Sequence, residues 1–306
     1  MKKSQLIFIT LAVIAAMLTG CQKTDVTPAY IVINKEDVSL AIDNLELTQF
    51  NSNSGLTARN FPYVWVTVDG DKLGIWELPC KVPVLNSGIV SIELQPGIEM
   101  NGMSTTCPEY PFVTTYKTSV FLEKGVETEI KPRFQYYKNN LEFPLVENFE
   151  TAGTVFAPTD TSSPLYVQKI TDPSLIYTNP DDPTDINTCS GYIQLKDSTT
   201  SFEIASDYIG LPGNGRSVFL ELNYKCDHDL YAGLIVRQST SIPSHESLVV
   251  MRSTKGEWKK IYINLTLAVS RNTTATGFKI VFSGATNGGT DIANYYFDNI
   301  RVMYIL

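Results

Sequence analysis

The 306-residue sequence has little histidine, little charge and no run of basic residues. Neither of its two histidines, His228 and His245, lies in a Gly-x-Ser-x-Gly, His-Glu-x-x-His or Cys-His context, so the common hydrolase motifs are absent. Charged residues make up 18% of the chain and give a formal net charge of -8 at pH 7. An acidic chain without a basic patch cannot neutralise phosphates, so we do not expect nucleic acid as a partner.

What the chain does contain favours β structure. Hydrophobic residues make up 43% of it, which excludes a disordered chain, and there are sixteen tyrosines and fourteen phenylalanines. Short runs rich in Val, Ile, Thr, Tyr and Phe alternate with Gly, Pro, Asn and Asp, a pattern typical of strands joined by tight turns. At roughly 100 to 200 residues per domain, the length predicts two domains.

The first twenty residues are typical of a secretory leader. Lys2 and Lys3 precede an apolar run over residues 6–17, and Leu-Thr-Gly-Cys follows at 18–21. The apolar run is shorter than the roughly 20 residues needed to cross a bilayer. We therefore predict a signal peptide over residues 1–20, with a plain secreted protein as the alternative to a lipid-anchored one.

The Leu-Thr-Gly-Cys sequence resembles the lipobox of bacterial lipoproteins. This resemblance implies cleavage before Cys21, acylation of its thiol and anchoring to a membrane. No acidic residue directly follows Cys21, which in such lipoproteins implies the outer membrane. The stretch at 22–25 also resembles the export signals of Bacteroidetes surface lipoproteins, which implies a location facing the cell exterior and leaves the periplasmic orientation as the alternative.

The rest of the chain divides into a tether and two all-β domains. Residues 21–29 are polar and predict a lipidated tether, residues 30–138 a first sandwich, and residues 139–306 a second. An Asp-Gly-Asp sequence at 69–71 predicts a hairpin. The predicted strands of the first domain are 31–33, 45–50, 63–68, 89–94, 115–122 and 127–136. Those of the second domain follow an opening run at 143–150 and are 217–225, 231–238, 247–252, 258–267, 276–283 and 295–303.

Three segments of the second domain resemble a known class. They are Glu-Asn-Phe-Glu at 147–150, Gly-Glu-Trp-Lys-Lys-Ile-Tyr-Ile at 256–263 and Tyr-Tyr-Phe-Asp-Asn-Ile-Arg-Val at 295–302. They are similar to the jelly-roll carbohydrate-binding modules and galactose-binding-like domains of bacterial surface proteins. The resemblance implies a jelly-roll β-sandwich and a glycan ligand. The first domain, with Gly-Ile-Trp-Glu-Leu-Pro at 74–79, resembles the immunoglobulin-like or prealbumin-like modules that precede such domains.

A ligand-binding face follows from alternation along the predicted strands of the second domain. Its members are polar or aromatic residues that alternate with aliphatic ones, and we predict that they share one sheet face: Glu221, Asn223, Tyr231, Arg237, Tyr262 and Asn264. Such a set suits a sugar, whose apolar face stacks on an aromatic ring while charged and amide groups bind its hydroxyls. The alternative is an ordinary solvated sheet face.

Asp298 is the acidic residue most suggestive of a metal. Alternation places it on the same face as Ile300 and Val302, so its carboxylate needs a partner. Many related jelly rolls hold a structural calcium between the first and last strands, which implies Asp298 with Glu150 or Glu147 as calcium ligands. The alternative is a carboxylate bound by backbone amides, with no cofactor at all.

Four cysteines remain after Cys21. Two lie in each domain, which favours Cys80 with Cys107 and Cys189 with Cys226 as disulfide candidates, while buried free thiols are the alternative.

No residue pattern marks a catalytic centre. A glycoside hydrolase needs two suitably spaced carboxylates, and Glu221 with Asp227 or Asp229 is the pair that the sequence leaves open. We therefore expect a non-catalytic outer-membrane lipoprotein that binds glycan through its jelly roll. The alternatives are an adhesion or envelope-assembly protein that binds another protein, and a glycoside hydrolase.

Overall fold

The structure, a computed structural model, describes residues 27–42, 55–162, 164–239, 242–286 and 291–306. The predicted leader, Cys21, residues 22–26 of the tether and the predicted strand at 45–50 lie outside the described residues. Within them, no helix has the length and the apolar character needed to cross a bilayer.

The described residues of the first half form three small sheets. One has the strand order β5-β1-β8, a second has the order β4-β3-β6-β7, and β2 pairs with β9. The bounds are β1 Ala29–Ile33, β2 Ser39–Ala41, β3 Tyr63–Val68, β4 Asp71–Glu77, β5 Cys80–Val84, β6 Gly88–Gly97, β7 Tyr116–Leu122, β8 Glu127–Glu129 and β9 Arg133–Gln135. β1 begins one residue inside the predicted tether.

Strand β3 shows why these sequences form a sandwich. Val64, Val66 and Val68 are buried, while the residues between them are half-exposed, as expected for a strand with one face on a core. The turn after it has positive φ at Asp69 and Gly70, the backbone that the Asp-Gly sequence favours, and β4 pairs back on β3. The predicted hairpin is confirmed.

The second half is a sandwich of two sheets. The six-stranded sheet has the order β12-β13-β20-β15-β18, with β10 also on β20, and the five-stranded sheet has the order β11-β14-β19-β16-β17. The bounds are β10 Leu141–Glu147, β11 Phe156–Pro158, β12 Gln168–Ile170, β13 Ser190–Leu195, β14 Ser201–Ser206, β15 Val218–Cys226, β16 Leu230–Gln238, β17 Ser244–Met251, β18 Lys259–Asn264, β19 Ala275–Ala285 and β20 Ala293–Ile305. The all-β fold class is confirmed.

The predicted strand at 258–267 extends too far. β18 ends at Asn264, and helix α1 runs over Thr266–Arg271 with Leu265 as its N-cap residue. The Asn264 carboxamide oxygen accepts a hydrogen bond from the Thr266 amide at 2.8 Å, a local turn contact between the strand and the helix that favours neither continued strand nor continued helix at this point.

Alternation along β20 fails at one residue. Tyr295 and Phe297 point into the core of the second half. Ile300 and Val302 also point into this core, although regular alternation would place them on the opposite face of the strand. The register between β15 and β20 shifts after Glu221, and Asn299 has a φ of 48°, as in a β-bulge. The prediction that Asp298 shares a face with Ile300 is wrong, because the bulge reverses the alternation between them.

The outer face of the six-stranded sheet is covered by the first half of the chain. Phe219, Tyr262 and Met303 belong to the apolar core of the first half. Phe219 packs edge-on against Phe112 with 5.5 Å between ring centroids, and Tyr262 against Tyr110 with 5.4 Å. The two halves therefore share a buried interface, and this covered face is not available to a ligand.

Candidate functional site

The six residues predicted to form one ligand face lie on two different sheets. Glu221 and Asn223 lie on β15 and Tyr262 and Asn264 on β18, in the six-stranded sheet. Tyr231 and Arg237 lie on β16, in the five-stranded sheet. The prediction of a single face is wrong, because alternation assigns a residue to the inside or outside of a sandwich without assigning its strand to one of the two sheets.

Glu221 lies in a fully buried ionic cluster between the halves. Its Oε2 accepts hydrogen bonds from Arg301 Nη2 at 2.7 Å and Nε at 3.0 Å, and its Oε1 accepts one from the Tyr110 hydroxyl at 2.5 Å. Lys260 Nζ lies 3.1 Å from the same Oε2. Arg301 also donates to the Gly55 carbonyl at 2.9 Å. Glu221 is therefore a structural group and cannot meet a ligand.

The pKa directions in this cluster follow from burial and charge. Burial alone would raise the pKa of Glu221, but Arg301 and Lys260 hold it below its ordinary value. Burial and the nearby Arg301 lower the pKa of Lys260 to about 7, against the opposing effect of Glu221. At neutral pH the cluster therefore contains an ionised carboxylate, a guanidinium and a lysine close to its midpoint.

The other predicted ligand-binding residues of the six-stranded sheet also form hydrogen bonds within the protein. The Tyr262 hydroxyl accepts a hydrogen bond from the Asn60 amide at 2.9 Å, and the Asn264 amide donates to the Asn101 carboxamide at 2.8 Å. Asn223 accepts one from Asn299 at 3.2 Å. The contacts of Tyr262 and Asn264 join the first half to the second, and that of Asn223 lies within the second half.

Tyr231 remains exposed, on the outer face of the five-stranded sheet. Its side chain is 42% exposed. Ser283 is its direct partner on β19, and Glu203 on β14 is the direct partner of Ser283. Directly opposed residues point to the same side of a sheet, so Tyr231, Ser283 and Glu203 form one row across three strands. Val250 on β17 extends the row at its other end.

Two side chains meet across this outer face. Glu203 lies on β14 and His245 on β17, with β19 and β16 between them. The backbones of β14 and β17 are about 14 Å apart at three strand spacings, and the two side chains reach across that distance, so that His245 Nδ1 lies 3.9 Å from Glu203 Oε2. We call the strip of this face from Tyr231 to Arg237 the trough.

At the Arg237 end of the trough, two basic side chains pack on the ring of Tyr208. The Arg237 guanidinium lies 4.1 Å from the ring centroid of Tyr208, and Lys279 Nζ lies 4.8 Å from the same centroid. Arg237 also donates to the Thr276 hydroxyl at 3.2 Å. Gly277, the partner of Arg237 on β19, has no side chain to displace the Tyr208 ring. These contacts hold Arg237 in place while part of its guanidinium stays exposed.

A cavity of about 530 Å³ lies at the Tyr231 end of the trough. Its polar groups include the carboxylates of Asp160 and Glu203 and the hydroxyls of Ser201 and Ser283. Glu203 Oε1 accepts a hydrogen bond from the Thr159 hydroxyl at 2.7 Å, which fixes the carboxylate. The cavity thus combines one exposed aromatic ring with carboxylate and hydroxyl groups, the combination that binds sugar hydroxyls and a sugar's apolar face.

A larger cleft of about 1010 Å³ lies between the two halves. Its aromatic rings are less available, since Tyr177 and Tyr224 are buried and Trp258 is packed edge-on against Tyr177 at 5.5 Å. Its charged residues are partly paired, with Arg59 Nη2 3.4 Å from Asp181. The cleft therefore offers mixed charges and amides but little open aromatic surface.

The predicted calcium ligands bind donors of the chain itself. Asp298 accepts hydrogen bonds from the Ser190 hydroxyl, from Asn187 Nδ2 at 3.0 Å and from the Asn299 amide at 2.8 Å. Glu150 accepts hydrogen bonds from the Thr188 and Cys189 amides at 2.7 and 3.1 Å. In the described part of the chain no group of three His, Cys, Asp or Glu side chains is arranged to hold a metal, and the calcium site stays a prediction.

Glu147 is likewise satisfied internally, by the amides of Phe149 and Val155, both at 2.7 Å. Burial without a nearby cation raises the pKa of Asp298 well above its ordinary value. The alternative of a carboxylate bound by the chain, here by one amide and two side chains, describes Asp298 better.

The four described cysteines are free thiols: Cys80, Cys107, Cys189 and Cys226. The predicted disulfides are therefore wrong. Cys189 Sγ donates to the Phe149 carbonyl at 2.9 Å and Cys226 Sγ to the Arg252 carbonyl at 3.6 Å. Burial raises the pKa of Cys80 to about 11 and that of Cys226 to about 12, so both are small apolar groups at neutral pH.

Comparison with known proteins gives structural likenesses only. No protein-family model and no curated protein sequence matches the chain. Among solved structures, the paired CBM22-1 and GH10 modules of Clostridium thermocellum xylanase 10B, complexed with xylohexaose, align over 53% of this chain and 28% of theirs, at 14% identity and a TM-score of 0.39. A structure described as a carbohydrate-binding module of the β-sandwich superfamily aligns over 78% and 84%, at 13% identity and a TM-score of 0.36.

A third likeness is to the enzymatically active domain of bacteriophage CBA120 tailspike protein 4. It covers 55% of this chain and 20% of the tailspike, at 11% identity and a TM-score of 0.33. This chain thus spans under a third of the xylanase structure and of the tailspike structure.

Proposed function

We propose that the protein binds glycan, without cleaving it, on the outer face of its five-stranded sheet, at the cavity beside Tyr231. The observation that carries the proposal is the row formed by Tyr231, Ser283 and Glu203, in which an exposed ring stands beside a fixed carboxylate at the edge of a cavity. A sugar ring that stacks on Tyr231 places its hydroxyls within reach of Glu203 and Ser283. Arg237, held on Tyr208 at the far end of the trough, binds hydroxyls of a more distant sugar unit in the same chain.

The trough suits a polymer better than a single sugar. Tyr231 and Arg237 are six residues apart on one strand, a separation of about 20 Å. Polar groups lie at both ends of the trough, with Glu203 and Ser283 near Tyr231 and the Arg237 guanidinium at the other end. A site of this length binds several units of one chain, and many anchored copies on one surface act together on a polymer.

We further propose that the chain is lipid-anchored through Cys21 in the outer membrane and faces the cell exterior. The lipobox-like sequence at 18–21 supports the anchor. The first half then acts as a spacer between the anchor and the glycan-binding sandwich.

Affinity gel electrophoresis of the full mature chain with xylan, galactomannan, β-glucan and polygalacturonate tests the binding proposal. We expect one or more polysaccharides to retard the native chain. Tyr231→Ala should bind at least roughly tenfold more weakly, because about 1.4 kcal/mol of lost stacking is a factor of ten. Tyr137→Ala, an exposed tyrosine of the first half, is the matched control and should bind normally.

Two results would contradict the proposal. Retardation by no polysaccharide would favour a protein partner instead. Release of reducing sugar during incubation with the retarding polysaccharide would show hydrolysis, for which Asp160 and Glu203 are the carboxylates in the cavity.

A further inference from the structure

Four exposed apolar side chains form a rim at one end of the first half. Leu85 is 68% exposed, Ile89 80%, Phe121 66% and Val126 44%. Ile89 and Phe121 are direct partners on β6 and β7. Such a cluster of large exposed apolar groups is unusual on a soluble surface and marks a contact site. We name these four residues the apolar rim.

The strand register places the whole rim at one end of the sandwich. Leu85 directly follows β5, and Ile89 is the second residue of β6. Phe121 is the second-last residue of β7, which runs antiparallel to β6. Val126 directly precedes β8. Each rim residue therefore lies at a turn or strand end on the same side of the first half.

The chain enters the first half at this same end. Ala29, the first residue of β1, is the partner of Val84, which precedes Leu85. The Tyr30 amide donates to the Val126 carbonyl at 2.9 Å, and the Gly125 amide donates to the Pro28 carbonyl at 2.9 Å. Thr27 and Pro28, the first residues that the structure describes, are thus beside the rim.

The second half of the chain lies at the opposite end. β6 begins at the rim and ends at Gly97, about 30 Å away for ten residues. The loop beyond it contacts the second half, where the Asn101 amide donates to the Tyr262 carbonyl at 2.8 Å. The apolar rim and the glycan-binding sandwich therefore lie at opposite ends of the first half.

Only five residues, 22–26, separate Cys21 from Thr27 in the sequence. Even a fully extended segment of this length reaches only about 20 Å. We propose that the apolar rim rests on the surface of the lipid bilayer in which the acylated Cys21 is inserted. This inference depends on the proposed lipid anchor and goes beyond it, because it fixes which end of the protein touches the membrane.

A bilayer fits the rim better than a second copy does. Two copies joined rim to rim would point their second halves in opposite directions. Their short tethers would then place both lipid anchors between the copies, away from any planar bilayer. Phe121, Ile89 and Leu85 are side chains that partition into the membrane interface, and the adjacent Lys124 is exposed at the height of the headgroups.

Tryptophan quenching by brominated lipid tests this orientation. The full lipidated chain is reconstituted into phosphatidylethanolamine and phosphatidylglycerol vesicles that contain brominated acyl chains. Phe121→Trp adds a tryptophan to the rim, and Leu267→Trp adds one at a position of the second half that is 75% exposed. Both are compared with the native chain, so that Trp65, Trp76 and Trp258 provide a constant background.

We expect the tryptophan at 121 to be blue-shifted and quenched by the brominated lipid, and the tryptophan at 267 to be unaffected. A lipidated chain with no quenching at 121 would overturn the rim proposal and leave the anchor intact. Equal quenching at both positions would show a chain lying flat and would also overturn it. Mass spectrometry that finds Cys21 unmodified would overturn both the rim and the anchor.

A second arm tests the rim without a new tryptophan. Ile89→Ser combined with Phe121→Ser should weaken retention of the chain on vesicles, whereas Ile186→Ser, at an exposed apolar position of the second half, should not. A dimer in sedimentation that the double variant abolishes would assign the rim to a second copy instead. Neither variant lies in the trough, so polysaccharide retardation should be unchanged and reports on the glycan proposal separately.

Discussion

Glu221 illustrates what alternation along a strand does and does not predict. The pattern places Glu221, Asn223 and Tyr262 on one face of one sheet, and the structure has them there. It does not show that the face is covered, because Tyr110, which binds Glu221, lies 111 positions away in the sequence. Which faces meet solvent is set by long-range packing that a local pattern does not contain.

Replacing Glu221 tests the ionic cluster. Glu221→Gln removes the charge that balances Arg301, so we expect a loss of about 3 to 5 kcal/mol in the free energy of unfolding, measured by urea denaturation. Glu93→Gln is the control, since its pair with Lys117 is exposed and contributes about 1 kcal/mol or less. Equal, small losses in the two variants would contradict a buried cluster.

The pKa of Lys260 predicts a pH dependence of stability. In the unfolded chain a lysine keeps its proton up to about pH 10.4, whereas burial and Arg301 lower the pKa of Lys260 to about 7 in the folded chain. Between these values the unfolded state binds more protons, so this group makes the free energy of unfolding rise with pH, by about 1.4 kcal/mol per unit.

Urea denaturation at pH 7, 8 and 9 measures this slope. Lys260→Met should lose the rise, and Lys259→Met, an exposed neighbour on β18, should keep it. Parallel curves for the native chain and Lys260→Met would show that Lys260 stays protonated in the folded state.

At the scale of the element, the backbone of β17 lies unusually close to Gly233 of β16 in the five-stranded sheet. A β-carbon there would lie 2.4 Å from the Glu246 carbonyl oxygen, so no other residue fits without moving β17 away from β16. The sequence predicts a strand at 247–252, most of which lies in β17, but it does not predict that this strand approaches Gly233. Glu203 was missed because the short strand β14 was not predicted, although Phe202, Glu203 and Ile204 alternate within it.

Gly233→Ala tests this packing. We expect a loss of about 1 to 3 kcal/mol in the free energy of unfolding from overpacking, together with weaker polysaccharide retardation, because His245 and Val250 move with β17. Gly210→Ala, where a β-carbon meets nothing within 4 Å, should change neither quantity. Normal binding and stability in Gly233→Ala would contradict the close approach.

At the scale of the whole molecule, the two halves are joined more tightly than a chain of two modules would be. The sequence predicts the β class and the strands rich in aromatic and aliphatic residues. It does not predict that Phe219, Tyr262 and Met303 complete the core of the first half. This interface forms between strands that are more than a hundred residues apart in the sequence, so a local sequence pattern does not predict it.

The second half alone should therefore be unstable. A fragment of residues 139–306 exposes Phe219 and Met303 and leaves Arg301 without Gly55 and Tyr136, so we expect aggregation or strong binding of a hydrophobic dye. Co-expression with residues 27–138 should restore a soluble complex. A soluble, cooperatively folding fragment on its own would contradict the shared core.

The most direct test of the account is a hydrogen–deuterium exchange footprint of the full chain with the polysaccharide that retards it. The account predicts slower exchange in β14, β16 and β19, around Tyr231 and Glu203, with no change in the cleft between the halves. Protection at residues 178–181 and 258–260 instead, with none on the five-stranded sheet, would contradict it.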